Sequence, residues 1–306
     1  MSHHQRMAAA RRSLDGLSTG DAFGECFFGI SSNPMALELH LSTRTPPNVR
    51  WRWTDDTAMA AALVDVLDRH HGIEQDVLAG AFARRYAEDD RRGYGGTAHG
   101  ILMAIGAGEP WQTVSQAAFD GMGSAGNGAA MRVAALGAYF SSNTGELIQH
   151  ARQSAEVTHA HPEGQAGAIA VALAAGFAAV HSDLPPAEAA AGMFEHVLRH
   201  TPDSQTRALI AQARDLPPTF SVATAASVLG SGFRLTAQDT VPFCLWCAAR
   251  SFGDFESAVW TTVSAGGDMD TTCAIVGGIV ALTEPNGLPP ADWVARREPL
   301  PQALEL

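Results

Sequence analysis

The sequence contains no lysine, since all 20 of its basic residues are arginine. Without lysine the chain cannot form a Schiff base with a substrate or with pyridoxal phosphate. It also lacks the lysine of a G-x-x-x-x-G-K-[ST] phosphate-binding loop and the catalytic lysine of a kinase. The 32 acidic residues outnumber the basic ones and give a formal net charge of −12. This acidity argues against a general nucleic-acid binder, which would carry a basic stripe.

Cysteine and long hydrophobic runs are also scarce. Four cysteines in 306 residues are too few for a disulfide scaffold. No apolar run of signal-peptide length precedes Arg11 and Arg12. The longest uncharged stretch, Gly164 to Val180, is mostly alanine and glycine, and it is short and weakly hydrophobic for a membrane span. We therefore expect a cytoplasmic protein that does not bind membranes.

Helical periodicity dominates what the sequence does contain. Apolar residues recur at spacings of three and four between glycines and prolines, and alternating β-branched runs are almost absent. The spacing predicts helices over Thr54–Arg69, Gln75–Glu88, Asn127–Tyr139, Glu163–Val180, Pro186–Arg199, Gln238–Arg250 and Thr271–Leu282. The irregular segments, where we expect the chemistry to lie, are Ser31–Trp53, Asp89–Gly96 and Asp120–Gly126. No low-complexity linker divides the chain, so we expect one all-α domain over residues 1–306.

Two acidic clusters, far apart in the chain, each open a predicted helix. They read W-T-D-D-T at residues 53–57 and G-G-D-M-D-T-T at residues 266–272. Helix capping explains one such cluster, but two that lead into apolar helices need partners for their carboxylates. Oxygen donors suit Mg²⁺ or Mn²⁺, and four aspartates with two threonines could hold two ions about 3.5–4 Å apart. The residues alone therefore indicate a dinuclear metal hydrolase.

A glycine-rich turn and a histidine pair supply further polar groups. The turn, G-S-A-G-N-G at residues 123–128, could bring backbone N–H groups to a phosphate, or it could be an ordinary tightly packed helix entry. Arg132, one turn later, could contact a pyrophosphate or form a structural ion pair. His159 and His161 have no third ligand at suitable spacing, so we expect hydrogen bonding to a ligand or to the core instead of zinc binding.

Two shorter strings match motifs but lie in helical patterns. G-L-S-T-G at residues 16–20 matches the nucleophile elbow, which needs a preceding strand where Met7–Leu14 predicts a helix. C-L-W-C at residues 244–247 lies in an apolar helical pattern, so we expect its cysteines to pack in the core.

Taken together and in this order, the blocks resemble the ADP-ribosylglycohydrolase family. The resemblance covers about Leu14 to Leu282, most of the chain. It rests on the G-L-S-T-G-D-A-F-G block at residues 16–24, on W-T-D-D-T, on the glycine-rich segment 123–132, on Thr158-His159 and on G-G-D-M-D-T. It implies an all-α fold with two Mg²⁺ or Mn²⁺ ions that cleaves the glycosidic bond between ADP-ribose and a modified target.

The resemblance also implies roles for individual residues. The metal ligands would be Thr54, Asp55, Asp56, Asp268, Asp270 and Thr271. The ADP-ribose cleft would be lined by Gly123, Ser124, Gly126, Asn127 and His159. The candidate catalytic carboxylates are Asp55, Asp56, Asp268 and Glu25, which would stabilise positive charge on the reacting sugar.

Three positions depart from the family pattern. Many members carry a glutamate four residues after the G-D-x-x-G block, where this chain has Phe28, and Glu25 is the nearest carboxylate. Ala125 stands where relatives often have an aromatic residue, which removes a stacking surface. Met269 occupies the middle of D-x-D, where smaller or β-branched residues are usual. These changes bear on the substrate more than on the metal site. We expect Asp21 to be structural.

The resulting hypothesis is a metal-dependent hydrolase that removes single ADP-ribose groups from protein side chains, with the arginine linkage favoured. The alternatives are another acceptor (serine, a nucleic-acid base or O-acetyl-ADP-ribose), a non-catalytic ADP-ribose-binding protein and a dinuclear phosphohydrolase. We expect a monomer without general nucleic-acid binding. The segment Arg84–Gly96 is either a mobile flap over the cleft or a solvated charged loop, and the loop is favoured.

Overall fold

The computed structural model describes residues 1–217 and 219–306. These residues form sixteen α-helices and one short 3₁₀ helix, Asn127–Ala129, and they contain no β-strand. The α-helices are α1 (His3–Ser31), α2 (Pro34–Thr43), α3 (Asp55–His70), α4 (Gln75–Glu88), α5 (Gly96–Gly106), α6 (Trp111–Ala117), α7 (Ala134–Tyr139), α8 (Thr144–Glu156), α9 (Pro162–Val180), α10 (Pro186–His200), α11 (Gln205–Asp215), α12 (Val222–Leu229), α13 (Ala237–Arg250), α14 (Phe255–Val263), α15 (Met269–Val280) and α16 (Ala291–Arg296). The all-α fold class predicted from the sequence is confirmed.

Most of the predicted helices are present, and two of the predicted segments differ. The segment Asn127–Tyr139 is not one helix, because it is divided into the 3₁₀ helix and α7. The segment Ser31–Trp53 is not wholly irregular, since it contains α2. Helix α2 buries none of its residues and therefore lacks a clear apolar stripe. The local signals for α2 are Asn33 as the N-cap and Pro34 as the first helical residue.

Helices α1 and α15 pack with their backbones almost in contact. Gly16, Gly20 and Gly24 recur every four residues and therefore share one face of α1. A Cβ atom on Gly20 would lie 2.1 Å from the carbonyl oxygen of Cys273, and one on Gly24 would lie 2.2 Å from that of Met269. Only glycine allows this approach. The G-x-S-x-G string thus serves helix packing, and the unbroken α1 excludes a nucleophile elbow.

Helix α9 is apolar around most of its circumference. By length and composition it could cross a membrane, but 72% of its most hydrophobic window is buried inside the fold. It packs against α7, α8, α10 and α13. Burial on all sides by other helices is the arrangement of a core helix in a large helical domain.

Candidate active site

A cleft of about 520 Å³, a volume typical of small-molecule sites, lies where five parts of the chain meet. These parts are the N-terminal ends of α3 and α15, the glycine-rich turn 123–128, the segment 93–98 and the loop 234–236. All five residues predicted to line an ADP-ribose cleft do line it: Gly123, Ser124, Gly126, Asn127 and His159. Four of the six predicted metal ligands also line it: Asp55, Asp268, Asp270 and Thr271. The other two, Thr54 and Asp56, are buried beside Asp55 at the start of α3.

Asp21 on α1 holds the start of α3 in place. Its fully buried carboxylate accepts hydrogen bonds from the backbone N–H groups of Thr54 (2.9 Å) and Thr57 (3.1 Å) and from both threonine hydroxyls. The first N–H groups of a helix have no acceptors within the helix, and the Asp21 carboxylate is an acceptor for these groups at the start of α3. Burial nevertheless raises the pKa of Asp21 to about 6, because it outweighs these hydrogen bonds. As expected, Asp21 is structural, and it positions the neighbouring carboxylates.

The two acidic clusters meet in space, and their carboxylates repel one another. Burial, reinforced by Asp21 and Asp268, raises the pKa of Asp55 to about 8. Burial and the neighbouring carboxylates raise the pKa values of Asp56 and Asp270 well above the ordinary value. In the part of the chain that the structure describes, no ion pair includes any of these aspartates. Without a cation among them these carboxyl groups therefore cannot all ionise near pH 7, and a bound divalent cation would balance their charges.

This donor set fits divalent cations in its chemistry and its charge. The buried Oδ1 atom of Asp56 has no hydrogen-bond partner. The single hydroxyl proton of Thr54 lies within reach of both Asp21 Oδ1 (2.9 Å) and Asp56 Oδ2 (3.0 Å), and it can satisfy only one of them. Among residues 1–217 and 219–306, no three His, Cys, Asp or Glu side chains are already grouped to hold an ion. The fit therefore rests on the crowded carboxyl groups, on the unpartnered Asp56 Oδ1 and on the oxygen donors, which Mg²⁺ and Mn²⁺ prefer.

Asn127 connects the glycine-rich turn to the acidic cluster. Its side-chain amide donates hydrogen bonds to Asp268 Oδ2 (2.6 Å) and to the hydroxyl of Thr240 (3.1 Å). The turn also lies tightly against His159, because a Cβ atom on Gly128 would be 2.9 Å from the His159 ring. The turn is thus closely packed, and three of its backbone N–H groups already have partners: Gly123 donates to the Ala118 carbonyl (2.9 Å), Gly126 to the Ser124 hydroxyl (3.2 Å) and Asn127 to the Leu235 carbonyl (3.1 Å).

A buried chain of hydrogen bonds orients His159. Arg132 Nη2 donates to the hydroxyl of Thr158 (2.9 Å), and that hydroxyl lies 2.7 Å from His159 Nδ1. The Thr158 hydroxyl can accept from Arg132 and donate its own proton to Nδ1 at the same time, and in that arrangement the ring proton lies on Nε2. Burial, and next the charge of Arg132, lower the pKa of His159 to about 3, so the ring is neutral near pH 7. His159 therefore presents one N–H donor toward the cleft.

Arg132 takes neither of the roles considered from the sequence. It is fully buried and does not line the cleft, so it does not reach a bound pyrophosphate. It also forms no ion pair, because it donates to the carbonyl groups of Gly128 (3.1 Å) and Ser154 (2.8 Å) as well as to Thr158. Its guanidinium lies over the ring of Phe82, 4.4 Å from the centroid. Arg132 thus stabilises the turn and the Thr158–His159 pair without lining the cleft.

Glu25 lies outside the cleft. It is half-buried on α1 and is absent from the cleft lining, and burial raises its pKa while Arg52 lowers it. Phe28, at the position of the family's glutamate, is 41% exposed. A catalytic role for Glu25 stays a prediction.

The segment Arg84–Gly96 is anchored, and part of it forms a wall of the cleft. The carbonyl group of Arg92 accepts a hydrogen bond from the Asp55 N–H (2.7 Å), and the Arg92 guanidinium stacks on Trp53 at 3.6 Å and pairs with Glu298. The expectation of a simple solvated loop is therefore wrong here, because Gly93, Gly95 and Gly96 line the cleft.

Several cleft residues were not predicted from the sequence. Phe119 and Met122 line the cleft and remain 54% and 66% exposed, and Arg234 and Leu235 line it from a distant part of the chain. Phe119 has a φ of +51°, which is uncommon for a residue other than glycine. No local pattern identifies these side chains, because their places in the cleft depend on tertiary packing.

Comparisons with known proteins show the family of the chain. A sequence model of the ADP-ribosylglycohydrolase family matches residues 2–305. The chain is 30% identical over 274 residues to ADP-ribosylhydrolase ARH3 of Homo sapiens, covering 79% of this chain and 73% of that protein. It is 29% identical over 311 residues to ADP-ribosylhydrolase ARH3 of Mus musculus, covering 88% of this chain and 82% of that protein.

A solved structure shares the fold. A chain of an "ADP-ribosylglycohydrolase-related protein complex" superposes with a TM-score of 0.63 at 24% identity, covering 96% of this chain and 94% of that one. The fold and site thus define an all-α protein with a carboxylate-rich cleft, and the family match with its hydrolase relatives makes the protein a glycohydrolase. The chain belongs to the ADP-ribosylglycohydrolase family.

Proposed function

We propose that the protein is a hydrolase, dependent on two Mg²⁺ or Mn²⁺ ions, that removes single ADP-ribose groups from modified protein side chains. The observation that carries this proposal is one cleft in which the two acidic clusters meet the glycine-rich turn. The family match and the names of the ADP-ribosylhydrolase relatives support the same substrate class.

The glycine-rich turn and His159 would bind the diphosphate. Backbone N–H groups at such a turn favour an anion, and His159 Nε2–H is an additional neutral donor. Phe119 offers an aromatic face in the cleft, where Ala125 offers none. These groups would orient the sugar so that its reacting carbon lies near Asp55, Asp268 and Asp270.

The carboxylates would act on the reacting sugar. As the glycosidic bond breaks, the sugar carbon gains oxocarbenium character, and nearby carboxylates stabilise that positive charge. Thr54, Asp55, Asp56, Asp268, Asp270 and Thr271 would hold the two cations, whose positive charge would orient the ribose hydroxyls and promote attack by water.

The favoured acceptor is arginine. Among the residues that the structure describes, every acidic residue that lines the cleft belongs to the proposed metal cluster, so none of them is a separate carboxylic acid that could protonate a leaving group. A protonated guanidinium departs as neutral guanidine and needs no such acid, whereas a serine oxygen departs as a basic alkoxide that does. The net charge of −12 also attracts a cationic acceptor.

The direct test is release of intact ADP-ribose from an arginine-ADP-ribosylated protein, measured with Mg²⁺, with Mn²⁺ and with EDTA. We expect release with either ion and none with EDTA. Asp268→Asn should reduce turnover at least about 1,000-fold, in the range of large electrostatic contributions to catalysis. The matched control is Asp183→Asn, an exposed aspartate outside the cleft, which should retain wild-type activity.

Parallel assays with serine-linked, base-linked and O-acetyl ADP-ribose substrates distinguish the alternative functions. Faster release from one of these would replace arginine as the acceptor. Binding of ADP-ribose without release from any substrate would favour a non-catalytic binding protein. Release of phosphate or nucleotide in place of intact ADP-ribose would favour a phosphohydrolase.

We further infer that residues 1–306 act as one domain and as a cytoplasmic monomer without membrane or general nucleic-acid binding. The shared hydrophobic core of the helices supports the single domain, and the acidic composition supports the absence of nucleic-acid binding. Size-exclusion chromatography with light scattering tests the monomer.

A further inference from the structure

The loop over residues 230–236 carries an arginine that none of the roles above uses. Arg234 lines the cleft together with its neighbours Leu235 and Thr236. The side chain is exposed, and within the described chain its guanidinium has no ion pair or hydrogen bond. A cation at the edge of a ligand cleft without a protein partner is available to bind an anionic ligand.

The backbone of the 230–236 loop holds Arg234 in place. Gly232 has a φ of +82° and Leu235 a φ of +56°. The Leu235 N–H donates to the Gly232 carbonyl (2.8 Å), which closes a tight turn with Arg234 near its tip. The Asp239 carboxylate accepts a hydrogen bond from the backbone N–H of Arg234 (2.7 Å), so it anchors the loop and leaves the guanidinium unpaired.

The same loop is bonded directly to the glycine-rich turn. The Asn127 N–H donates to the Leu235 carbonyl (3.1 Å), and the Ala237 N–H donates to the Ala125 carbonyl (2.9 Å). Gly126 and Thr236 form an isolated antiparallel bridge between these two bonds. The loop that carries Arg234 is therefore fixed directly beside the glycine-rich turn in the lining of the cleft.

Arg234 is a positive charge in a cleft that is otherwise lined by acidic and neutral residues. Arg234 is the one lysine or arginine among the described residues of the cleft lining, which also includes Asp55, Asp268 and Asp270. His159 is neutral near pH 7 because of its lowered pKa. Among the described residues of the lining, a diphosphate that enters the cleft would therefore find one permanent cation beside three carboxyl groups.

We propose that Arg234 is a specificity residue whose guanidinium binds the diphosphate of the ADP-ribosyl group from the side of the 230–236 loop. This inference rests on the proposed function. A guanidinium presents several N–H donors in a plane and pairs with phosphate oxygens in bidentate fashion. The diphosphate is remote from the glycosidic bond, so this contact is the same in the bound substrate and in the transition state. Arg234 therefore lowers KM and leaves kcat unchanged.

The test measures direct binding of ADP-ribose by calorimetry, together with kcat and KM for the ADP-ribosylated protein. Arg234→Gln should raise both Kd and KM about tenfold, which is about 1.4 kcal/mol, and leave kcat within about twofold. Arg234→Lys should retain part of the affinity, because it keeps the charge and loses the bidentate geometry. The loss of ADP-ribose affinity caused by Arg234→Gln should be smaller at high salt, because salt screens the exposed contact between Arg234 and the diphosphate.

The matched control is Arg152→Gln, which removes an exposed arginine of α8 outside the cleft and changes the net charge equally. Its Kd should stay within about twofold of wild type. An equal loss of ADP-ribose affinity in both variants would overturn the proposal, because a general effect of net charge would then explain the change. A Kd for Arg234→Gln within twofold of wild type, with unchanged thermal unfolding, would also overturn it.

The same experiment distinguishes failure of the proposed function. If the wild type binds ADP-ribose but hydrolyses no linkage, the hydrolase proposal fails, and the ratio of Kd values still decides the role of Arg234. If the wild type does not bind ADP-ribose, both proposals are overturned.

Discussion

The side-chain amide of Asn127 lies 2.6 Å from the carboxylate of Asp268 and donates a hydrogen bond to it. Asn127 belongs to the glycine-rich turn and Asp268 precedes α15, so this bond joins the part of the cleft suited to phosphate with the part suited to metal ions. Substrate orientation and carboxylate geometry are therefore coupled through a single side chain.

The first prediction concerns this bond. Asn127→Ala should lower kcat about 10- to 100-fold, since a hydrogen bond to a charged group contributes about 1.5–3 kcal/mol. Steady-state release of ADP-ribose measures the effect. Thr240→Val is the control, because it removes the other partner of the Asn127 amide and keeps the bond to Asp268. Wild-type kinetics in Asn127→Ala would show that the bond has no catalytic role.

The second prediction concerns the crowded carboxyl groups of the acidic cluster. Asp56→Asn should make the metal-free protein more stable, because it removes a buried carboxylate that four other aspartates repel. The same variant should lose most of the stabilisation by Mg²⁺, which for the wild type is about 2.7 kcal/mol when the ion is at 100 times its Kd. Thermal unfolding in EDTA and in Mg²⁺ measures both effects, and an equal gain from Mg²⁺ in the two proteins would contradict the metal assignment.

The third prediction is a pH dependence caused by His159. The folded protein keeps this ring neutral down to about pH 3, whereas an unfolded histidine binds a proton below about pH 6.5. Between these values the unfolded state binds more protons, so the contribution of His159 to stability is lost as the pH falls from about 6.5 toward 3.

Urea unfolding at several pH values in EDTA tests this dependence. Near pH 5, the free energy of unfolding of the wild type should fall as the pH is lowered. In His159→Gln this fall should be smaller, by up to about 1.4 kcal/mol per pH unit. His4→Gln replaces an exposed histidine and should follow the wild type. Parallel curves for all three proteins would mean that His159 is not held neutral.

The fourth prediction tests the contact between α1 and α15. Gly20→Ala should destabilise the protein by about 3 kcal/mol, because its Cβ atom would lie 2.1 Å from a backbone carbonyl oxygen that cannot move alone. Gly29→Ala on the same helix meets no atom within 4 Å and should be neutral or stabilise by about 0.5–1 kcal/mol. Chemical denaturation measures both, and similar values for the two variants would contradict the close packing.

The chemistry of the site was largely predictable from the sequence, and its geometry was not. Asp55 and Asp268 each open a helix, and their residue types and spacing indicated oxygen ligands without any knowledge of the fold. Arg132 was misassigned because nothing in its neighbours along the chain shows that the guanidinium is fully buried against carbonyl groups. Burial depends on which elements pack together, and a local pattern does not contain that information.

The sequence alone also determined the fold class, whereas the contact surface of α1 was not predicted from it. The three- and four-residue spacing predicted helices, because a helical turn repeats every 3.6 residues. The regular glycines at positions 16, 20 and 24 made a backbone-to-backbone contact possible, and only the structure identified α15 as the partner. Helix α2 was not predicted, because only Leu37 and Leu41 pack against the core and both are only partly buried.

What the sequence by itself determined was the inventory: helices, oxygen donors in place of lysine chemistry, a glycine-rich turn and a strongly negative chain. Only the tertiary structure decided that Asp55 and Asp56 lie beside Asp268 and Asp270, and that Arg234 remains an unpaired cation at their cleft. The physical reason is that proximity, burial and charge pairing arise between residues that are distant in the chain, through the packing of whole helices.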